Sequence, residues 1–337
     1  MTPLRKVIYK KDRSVKPIWL MRQAGRYLPE FRKIRKRNTD FIKLCLDVKN
    51  VKNITLQPLK RYDLDAAIIF SDILMVPLGL GQSVEFKKNF GPLLGPISLE
   101  DIKNYDHITF NKKLEPVYKS IRNVKQEKIL KNKDLIGFVG GPWTTLVYML
   151  NKSSPKIKLR KIFSDKLLIK DLLKYISNYL ILHIQNQVIN GVSTIQIFDS
   201  WAGLVDDKNL EEYIYKPTRK LVNITKSLKI PCICFPRNIK NYMNYTKIVE
   251  PDVISIDYNA DPKEIAKYIT IPVQGGLDPK LLLSSRRNLE KHTNNYLRIF
   301  EAHPYIFNLG HGVLPQTDPS MVQYLIKLVR KFNEKSS

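Results

Sequence analysis

Several side chains capable of acid, base or ion-pair chemistry lie directly behind short apolar runs. Arg22 and, four residues on, Arg26 follow Pro17–Met21, and Asp72 follows Ala66–Phe70. Ser200 comes after Thr194–Phe198, Asp257 after Val253–Ile256, and His311 after Tyr305–Leu309. If each run is a strand of one parallel sheet, these residues, though scattered along the chain, converge on the edge formed by the strand C-termini. In α/β enzymes that edge binds ligands and carries the chemistry. Guanidiniums grip carboxylates in a bidentate manner, and ionised carboxylates only accept hydrogen bonds. The set therefore suits an anionic substrate that also bears N–H groups. It holds no obvious metal cage or phosphate-binding loop.

The elements that must position these residues are legible as an alternation. Eight apolar runs bounded by Gly, Pro or charge recur: Pro17–Met21, Ala66–Phe70, Leu135–Val139, Thr194–Phe198, Pro231–Phe235, Val253–Ile256, Ile271–Gln274 and Tyr305–Leu309. Most are rich in Ile, Val and Phe with little polar alternation, the pattern of strands buried on both faces. Between them lie amphipathic stretches of helical length, among them Asn50–Tyr62, Leu167–Ile189, Asn209–Ser227, Asn288–Phe300 and Pro319–Asn333. Strand then helix, eight times, predicts a parallel α/β sheet with right-handed crossovers. Eight such units close into a (β/α)8 TIM barrel, expected here as a single domain over residues 1–337. A doubly wound open sheet competes, but no Gly-x-Gly-x-x-Gly turn follows the first run, which weakens a dinucleotide-binding version.

The 337 residues, 43% of them hydrophobic, can bury a large core. Residues 1–16 are polar and basic, without the apolar segment of a signal peptide. The most apolar helical stretch, around Tyr179–Val188, is broken by His183, Gln185, Asn186 and Gln187. No membrane association and a cytoplasmic location are expected. The three cysteines, Cys45, Cys232 and Cys234, make no disulfide framework. Cys232 and Cys234 share one face of a strand. Metal ligation there needs further ligands from elsewhere, and we read both as small buried hydrophobes.

The net charge of +26 raises nucleic-acid binding as a possibility. Of the 57 basic residues, 41 are lysine, spread along the chain. The clusters Arg32–Arg37, Lys152–Lys161 and Arg286–Arg287 lack the interleaved aromatics of a single-strand binding surface. A positive protein equally steers a polyanionic small molecule toward its cleft. Composition leaves the two open.

Longer motifs are more specific. Pro17-Ile-Trp-Leu-Met-Arg-Gln-Ala-Gly-Arg-Tyr-Leu-Pro-Glu-Phe-Arg32 closely resembles the N-terminal signature of the uroporphyrinogen decarboxylases. Gly137-Phe-Val-Gly-Gly-Pro-Trp-Thr-Thr-Leu-Val-Tyr-Met149 resembles their second signature. Blocks at Ala67–Leu74, Phe198–Gly203, Val273–Pro279 and Asn308–Pro315 are similar to further family blocks, in the family's order. The resemblance runs from about Arg13 to Leu328. It implies a cytoplasmic, homodimeric (β/α)8 barrel acting without metal or organic cofactor. The implied reaction converts the four acetates of uroporphyrinogen III to methyls, giving coproporphyrinogen III. No nucleic-acid partner is implied.

The matched positions take roles by the same resemblance. Asp72 accepts hydrogen bonds from the pyrrole N–H groups and balances the cation formed when the ring carbon is protonated, which is electrostatic catalysis. Its structural alternative is a helix N-cap. Arg22 and Arg26 bind substrate carboxylates, Arg22 also holding the reacting acetate or positioning the proton source; arginine itself is a poor general acid. Tyr148 donates to the substrate or to Asp72, or is simply a tyrosine packed inward. Ser200 and His311 match polar cleft residues, His311 binding a carboxylate rather than acting as an obligatory base. Phe198, Ile68 and Phe70 form apolar walls. Arg35 is a weaker candidate, better read as part of a solvated basic face.

Some positions depart from the pattern. Leu150-Asn-Lys-Ser-Ser-Pro155 lacks the glycines expected after the second signature, Phe235-Pro-Arg-Asn238 lacks one after its strand, and Gly276 stands where Asn is expected. These departures bear on loop shape. A corrinoid-dependent methyltransferase of the same superfamily, a zinc enzyme, is the rival reading. It calls for a His-x-Cys pair after a late strand and another Cys near the C-terminus, and no cysteine follows Cys234.

Overall fold

Apolar runs without polar alternation have two faces to bury, and seven of the eight expected runs do so as parallel strands. The computed structural model describes residues 1–87, 90–155, 159 and 161–336, so part of the basic cluster Lys152–Lys161 lies outside the described residues. In chain order the strands are β1 (Ala66–Ile68), a hairpin of β2 (Val84–Lys87) and β3 (Gly91–Leu94), then β4 (Asp134–Gly140), β5 (Thr194–Asp199), β6 (Cys232–Pro236), β7 (Val253–Ile256), β8 (Val273–Gly275) and β9 (Tyr305–Ile306). The main sheet runs β1-β4-β5-β6-β7-β8-β9, every pair parallel, with the antiparallel hairpin apart from it. The register sets Ile68 beside Ile136, Phe198 beside Phe235 and Ile256 beside Gly275.

The eighth expected strand, Pro17–Met21, is not a strand but makes one parallel bridge, Ile18 to Phe307. The reason is local. Side chains take the place of ladder partners: Asp65 Oδ2 accepts from the Ile18 N–H (2.7 Å), Gln23 Oε1 from Leu20 (3.1 Å) and Asn308 Oδ1 from Met21 (3.0 Å). The flanking backbone contacts are Phe307 N–H to Pro17 O (2.7 Å) on one side and Asp65 N–H to Ile18 O (2.9 Å) on the other.

Helices connect the strands along the outer face, including Val48–Arg61, Pro142–Asn151, Lys166–Ile189, Arg286–Ile299 and Pro319–Ser336. The expected helix Asn209–Ser227 is instead a 3-10 turn (Asp207–Asn209), a π-helical turn (Glu211–Tyr215) and an α-helix (Lys216–Ser227). Alternation along the strands separates two cores. Cys232 and Cys234 point outward into the larger one, their sulfurs 4.0 Å apart, and with Cys45 they are buried and free. Ile233, Phe235, Ala66, Ile136, Val253 and Ile306 point the other way, into a smaller core.

Helix Pro3–Lys10 completes that inner core with Leu4, Val7 and Ile8. Burying such side chains stabilises by roughly 1.5–3 kcal/mol each. Thr2 donates to Asp134, and Arg5 bridges Asp134 Oδ1 (3.2 Å) and the Ser193 carbonyl (3.2 Å). Asp134 opens β4 and Ser193 precedes β5, so the helix covers the N-terminal end of the sheet. Above it a polar layer crosses the interior: Gln274 accepts from Trp19 Nε1 (2.9 Å) and donates to Gln196 (3.1 Å) and Ser255 (3.1 Å). With one end covered, the C-terminal ends of the strands are left to form a site. Among the described residues no helix is long and apolar enough to cross a membrane.

Candidate active site

The turn after Met21 is built to display Arg22. Gln23 is buried; it folds back on Leu20, donates to the Ala66 carbonyl of β1 (3.1 Å), and its own carbonyl accepts from Tyr27 (2.8 Å). The turn closes with Arg22 at φ 59°, a left-handed conformation that costs free energy in a residue with a Cβ. Val313 N–H to Met21 O (2.9 Å) ties the loop after β9 to the same turn. Gly312 lies so close that a Cβ there would sit 2.3 Å from Arg22 Cδ and 3.0 Å from its Cβ. Gly310 meets the Tyr258 backbone nitrogen at 2.3 Å in the same sense. The two glycines beside His311 are therefore required by close packing against Arg22 and against the turn after β7.

Arg22 keeps contact with solvent, yet surrounding protein holds its pKa below the ordinary guanidinium range. A side chain that reaches water from among densely packed neighbours shows that combination. Asp72 is also half-buried, and desolvation raises its carboxyl to about 6 against the opposing pull of the Leu74 N–H and of Arg22. One oxygen of Asp72 does cap the following turn, accepting from Leu74 N–H at 2.9 Å. The other has no donor among the described residues. Asp72 and Arg22 thus act on each other electrostatically without a direct ion pair.

Tyr148, on helix Pro142–Asn151, belongs to the same group. Burial raises its phenol and the charge of Asp72 adds to the effect. Arg26 is exposed at the rim, and its charge reaches Arg22. His311 is driven down to about 4, first by burial and then by Arg22 and Arg237, so its imidazole is neutral at neutral pH. Arg22, Arg26, Asp72, Tyr148 and His311 are therefore brought together.

Ser200 is half-buried just past β5, with no hydrogen bond to that group. Ile68 and Phe198 pack against the inner core, and Phe198 meets Phe138 (5.6 Å, edge-on) and Phe235 (6.3 Å, edge-on). Phe70 turns instead to Phe31 (5.7 Å) and Phe41 (5.9 Å), which belong to outer helices. Arg35 donates to the carbonyls of Asn38 and Thr39 and lies over the Phe41 ring, closing off its own helix.

Asp257 ends at the cleft edge but is buried, with both oxygens occupied: Oδ2 accepts from Asn238 N–H (2.6 Å) and Tyr242 (3.1 Å), Oδ1 from Asn259 N–H (2.8 Å). It braces a turn and offers no free acceptor to a ligand. One residue of this group was not anticipated from the sequence, Arg237, whose charge acts on Arg22 and His311. Arg237 directly follows β6, so the strand-end rule that singled out Asp72 applied to it as well. Among the described residues no three His, Cys, Asp or Glu side chains are gathered as a metal site requires.

Comparison with known proteins covers the whole of this arrangement. The family model "Uroporphyrinogen decarboxylase (URO-D)" matches residues 1–332. The uroporphyrinogen decarboxylase of Rickettsia felis is 39% identical over 335 residues, spanning 97% of this chain and 96% of that protein. Its counterpart in Rickettsia bellii is 40% identical over 326 residues, spanning 95% and 96%. A solved methyltransferase from Methanosarcina mazei superposes with a TM-score of 0.71 over 89% of this chain and 90% of that one; at 13% identity the likeness is one of fold. By sequence along nearly its full length, the chain belongs to the uroporphyrinogen decarboxylase family.

Proposed function

We propose that this protein decarboxylates the four acetate side chains of uroporphyrinogen III, giving coproporphyrinogen III in haem biosynthesis, with Asp72 as the electrostatic centre. The observation that carries the mechanistic part is the state of Asp72: a carboxylate in a partly desolvated cleft, one oxygen fixed by Leu74 N–H, the other undonated, beside Arg22.

The chemistry follows from that geometry. Protonating the pyrrole α-carbon next to the carbon that bears the acetate leaves the ring cation delocalised onto that acetate-bearing carbon and the nitrogen. This cation accepts the electron pair of the C–CO2 bond as CO2 leaves, forming an exocyclic C=CH2. Protonation of the resulting exocyclic methylene carbon and loss of the ring proton give the methyl group, so each CO2 released consumes one proton. The protonated ring is its own electron sink, so the step requires no organic cofactor. Asp72 receives the pyrrole N–H groups and balances the ring cation; a fixed charge in a desolvated site does this far better than water. With its carboxyl at about 6, Asp72 is mainly ionised at neutral pH. Arg22 orients the reacting acetate, Arg26 takes a carboxylate at the rim, and Tyr148 donates toward Asp72 or substrate. Ser200 and neutral His311 hydrogen-bond side chains of the macrocycle, and Ile68 and Phe198, on the inner face, exclude water from it, whereas Phe70, expected as a third wall, packs outward.

We extend the reading to architecture. Residues 1–337 form one domain, a (β/α)8 barrel whose first stave is Pro17–Met21, lying between β9 and the residues before β1. It acts as a homodimer in the cytoplasm, binds no nucleic acid, and uses its positive charge to draw in a polyanionic substrate. Purified, metal-free protein is incubated anaerobically with uroporphyrinogen III, and the oxidised products are resolved by carboxylate number. A ladder descending to coproporphyrin is expected; unchanged uroporphyrin from folded protein refutes the assignment. Sedimentation velocity tests the dimer.

A further inference from the structure

Arg237 stands in a turn held more tightly than its place in a loop suggests. Its N–H donates to the Asp199 carbonyl (3.1 Å) and its carbonyl accepts from Gly203 N–H (3.1 Å), which fixes the turn to the segment after β5. The next residue, Asn238, has φ 60° and is held by Asp257 Oδ2. Its side-chain oxygen accepts from Asn259 (3.1 Å), fixing the turn to the segment after β7. A Cβ on Gly203 would lie 2.6 Å from Asn238 Cβ, so the two turns are in direct contact.

The side chain on this rigid base has little to do within the protein. One terminal nitrogen reaches Tyr258 Oη at 3.4 Å, a long contact, and the buried Nε has no acceptor among the described residues. Nor does any described carboxylate form an ion pair with it. Two other half-buried arginines are ion-paired, Arg5 with Asp134 and Arg330 with Asp63 and Asp65, and a third, Arg35, is held by the Asn38 and Thr39 carbonyls. Asp257, the nearby acid, has spent its oxygens on the turn. A half-buried guanidinium left without an anion is costly, and a bound anion offsets that cost. Its charge also acts on Arg22 and His311, which places it on the cleft. Arg22, not Arg237, is the cation that acts on Asp72. Arg237 thus has no direct part in the electrostatics of Asp72.

We propose that Arg237 determines substrate specificity by docking a carboxylate other than the one being lost, while Asp72 and Arg22 serve the reacting acetate. The inference rests on the proposed function and assigns that site a further carboxylate subsite. Arginine suits it because its planar fork grips a carboxylate through two parallel bonds, which a lysine ammonium cannot do.

The test is steady-state kinetics on uroporphyrinogen III for wild type, Arg237→Gln, Arg237→Lys and Tyr258→Phe, with melting temperatures alongside. Loss of one charge-assisted carboxylate contact predicts a KM raised about 10- to 100-fold in Arg237→Gln, with kcat within about threefold of wild type. Arg237→Lys lies between, and Tyr258→Phe leaves KM nearly unchanged. Should Arg237→Gln fail to fold, the charge-retaining Arg237→Lys still reads the same KM effect. An unchanged KM, a loss confined to kcat, or a Tyr258→Phe variant that matches Arg237→Gln overturns the proposal. Absence of turnover in the wild type instead refutes the functional assignment on which it rests.

Discussion

Asp72→Asn separates what Asp72 contributes to catalysis from what it costs the fold. The substitution is nearly isosteric, and an amide oxygen keeps the 2.9 Å bond from Leu74 N–H. Burial holds the Asp72 carboxyl at about 6 in the folded protein, against an ordinary value of 3.8. A carboxyl with a raised pKa binds protons more tightly folded than unfolded, so stability falls as pH rises from about 4 to about 6 and stays lower above that. The displacement corresponds to about 3 kcal/mol, or about 2–3 kcal/mol after allowing for water in the cleft. Asn carries no such cost. Asp72→Asn is therefore expected to raise Tm at pH 7.5 by about 3–4 °C for a chain of this size. At pH 5 the advantage narrows to about half, because wild-type Asp72 then holds its proton when folded. Turnover of uroporphyrinogen III falls about 100- to 1,000-fold, since a neutral amide cannot balance the ring cation. Thermal scans at the two pH values and a single-turnover assay read all three quantities. Wild-type turnover, or a melting temperature that is unchanged or lowered at both pH values, refutes the reasoning.

Three other perturbations test the surroundings. Arg22→Gln removes the cation that lowers the Asp72 pKa. The acid limb of kcat/KM that the Asp72 carboxyl sets, expected near pH 6 in wild type, should move to higher pH in the residual activity; an unmoved limb breaks the electrostatic link between the two. Gly312→Ala places a methyl 2.3–3.0 Å from three Arg22 carbons. It should lower kcat/KM about tenfold or more with little change in Tm, because a small misplacement of a catalytic group is costly. Leu4→Ala empties a fully buried position under the sheet. A loss of about 2–5 kcal/mol in denaturant titrations is expected with an unchanged KM.

The elements most easily read from sequence were those whose burial is simplest. The runs that became β4, β5 and β6 are uniformly apolar because both faces are covered, and their strand-end neighbours fell where the parallel register carries them. Pro17–Met21 has the same composition but misled, because its hydrogen bonds go to Asp65, Gln23 and Asn308 side chains. No periodicity encodes that substitution. The hairpin Val84–Leu94 was missed since its short alternation, Val-Glu-Phe-Lys, sits in a charged stretch, and the π-helical turn at Glu211–Tyr215 has no composition of its own. Within the site, position along the chain brought Arg22, Asp72 and His311 into view. It could not tell an available carboxylate from an occupied one. Asp72 and Asp257 both follow strands, and only the surrounding donors distinguish them.

The helix at Pro3–Lys10 imposes an order on folding. Its partners are Asp134 and Ser193, and its apolar face meets Ile306. The run Pro17–Met21 that follows it is joined to the segment after β9 by a Met21–Asn308 bond spanning 287 residues. During synthesis both segments leave the ribosome long before those partners exist, so the apolar face of an amphipathic helix and an unpaired Trp19 must wait, exposed, while the rest of the sheet is made. Contacts of such sequence separation form late and slow the approach to the native state. A substitution such as Leu4→Ala should therefore mainly speed unfolding and leave the refolding rate nearly unchanged, the behaviour of a part that locks after the nucleus has formed.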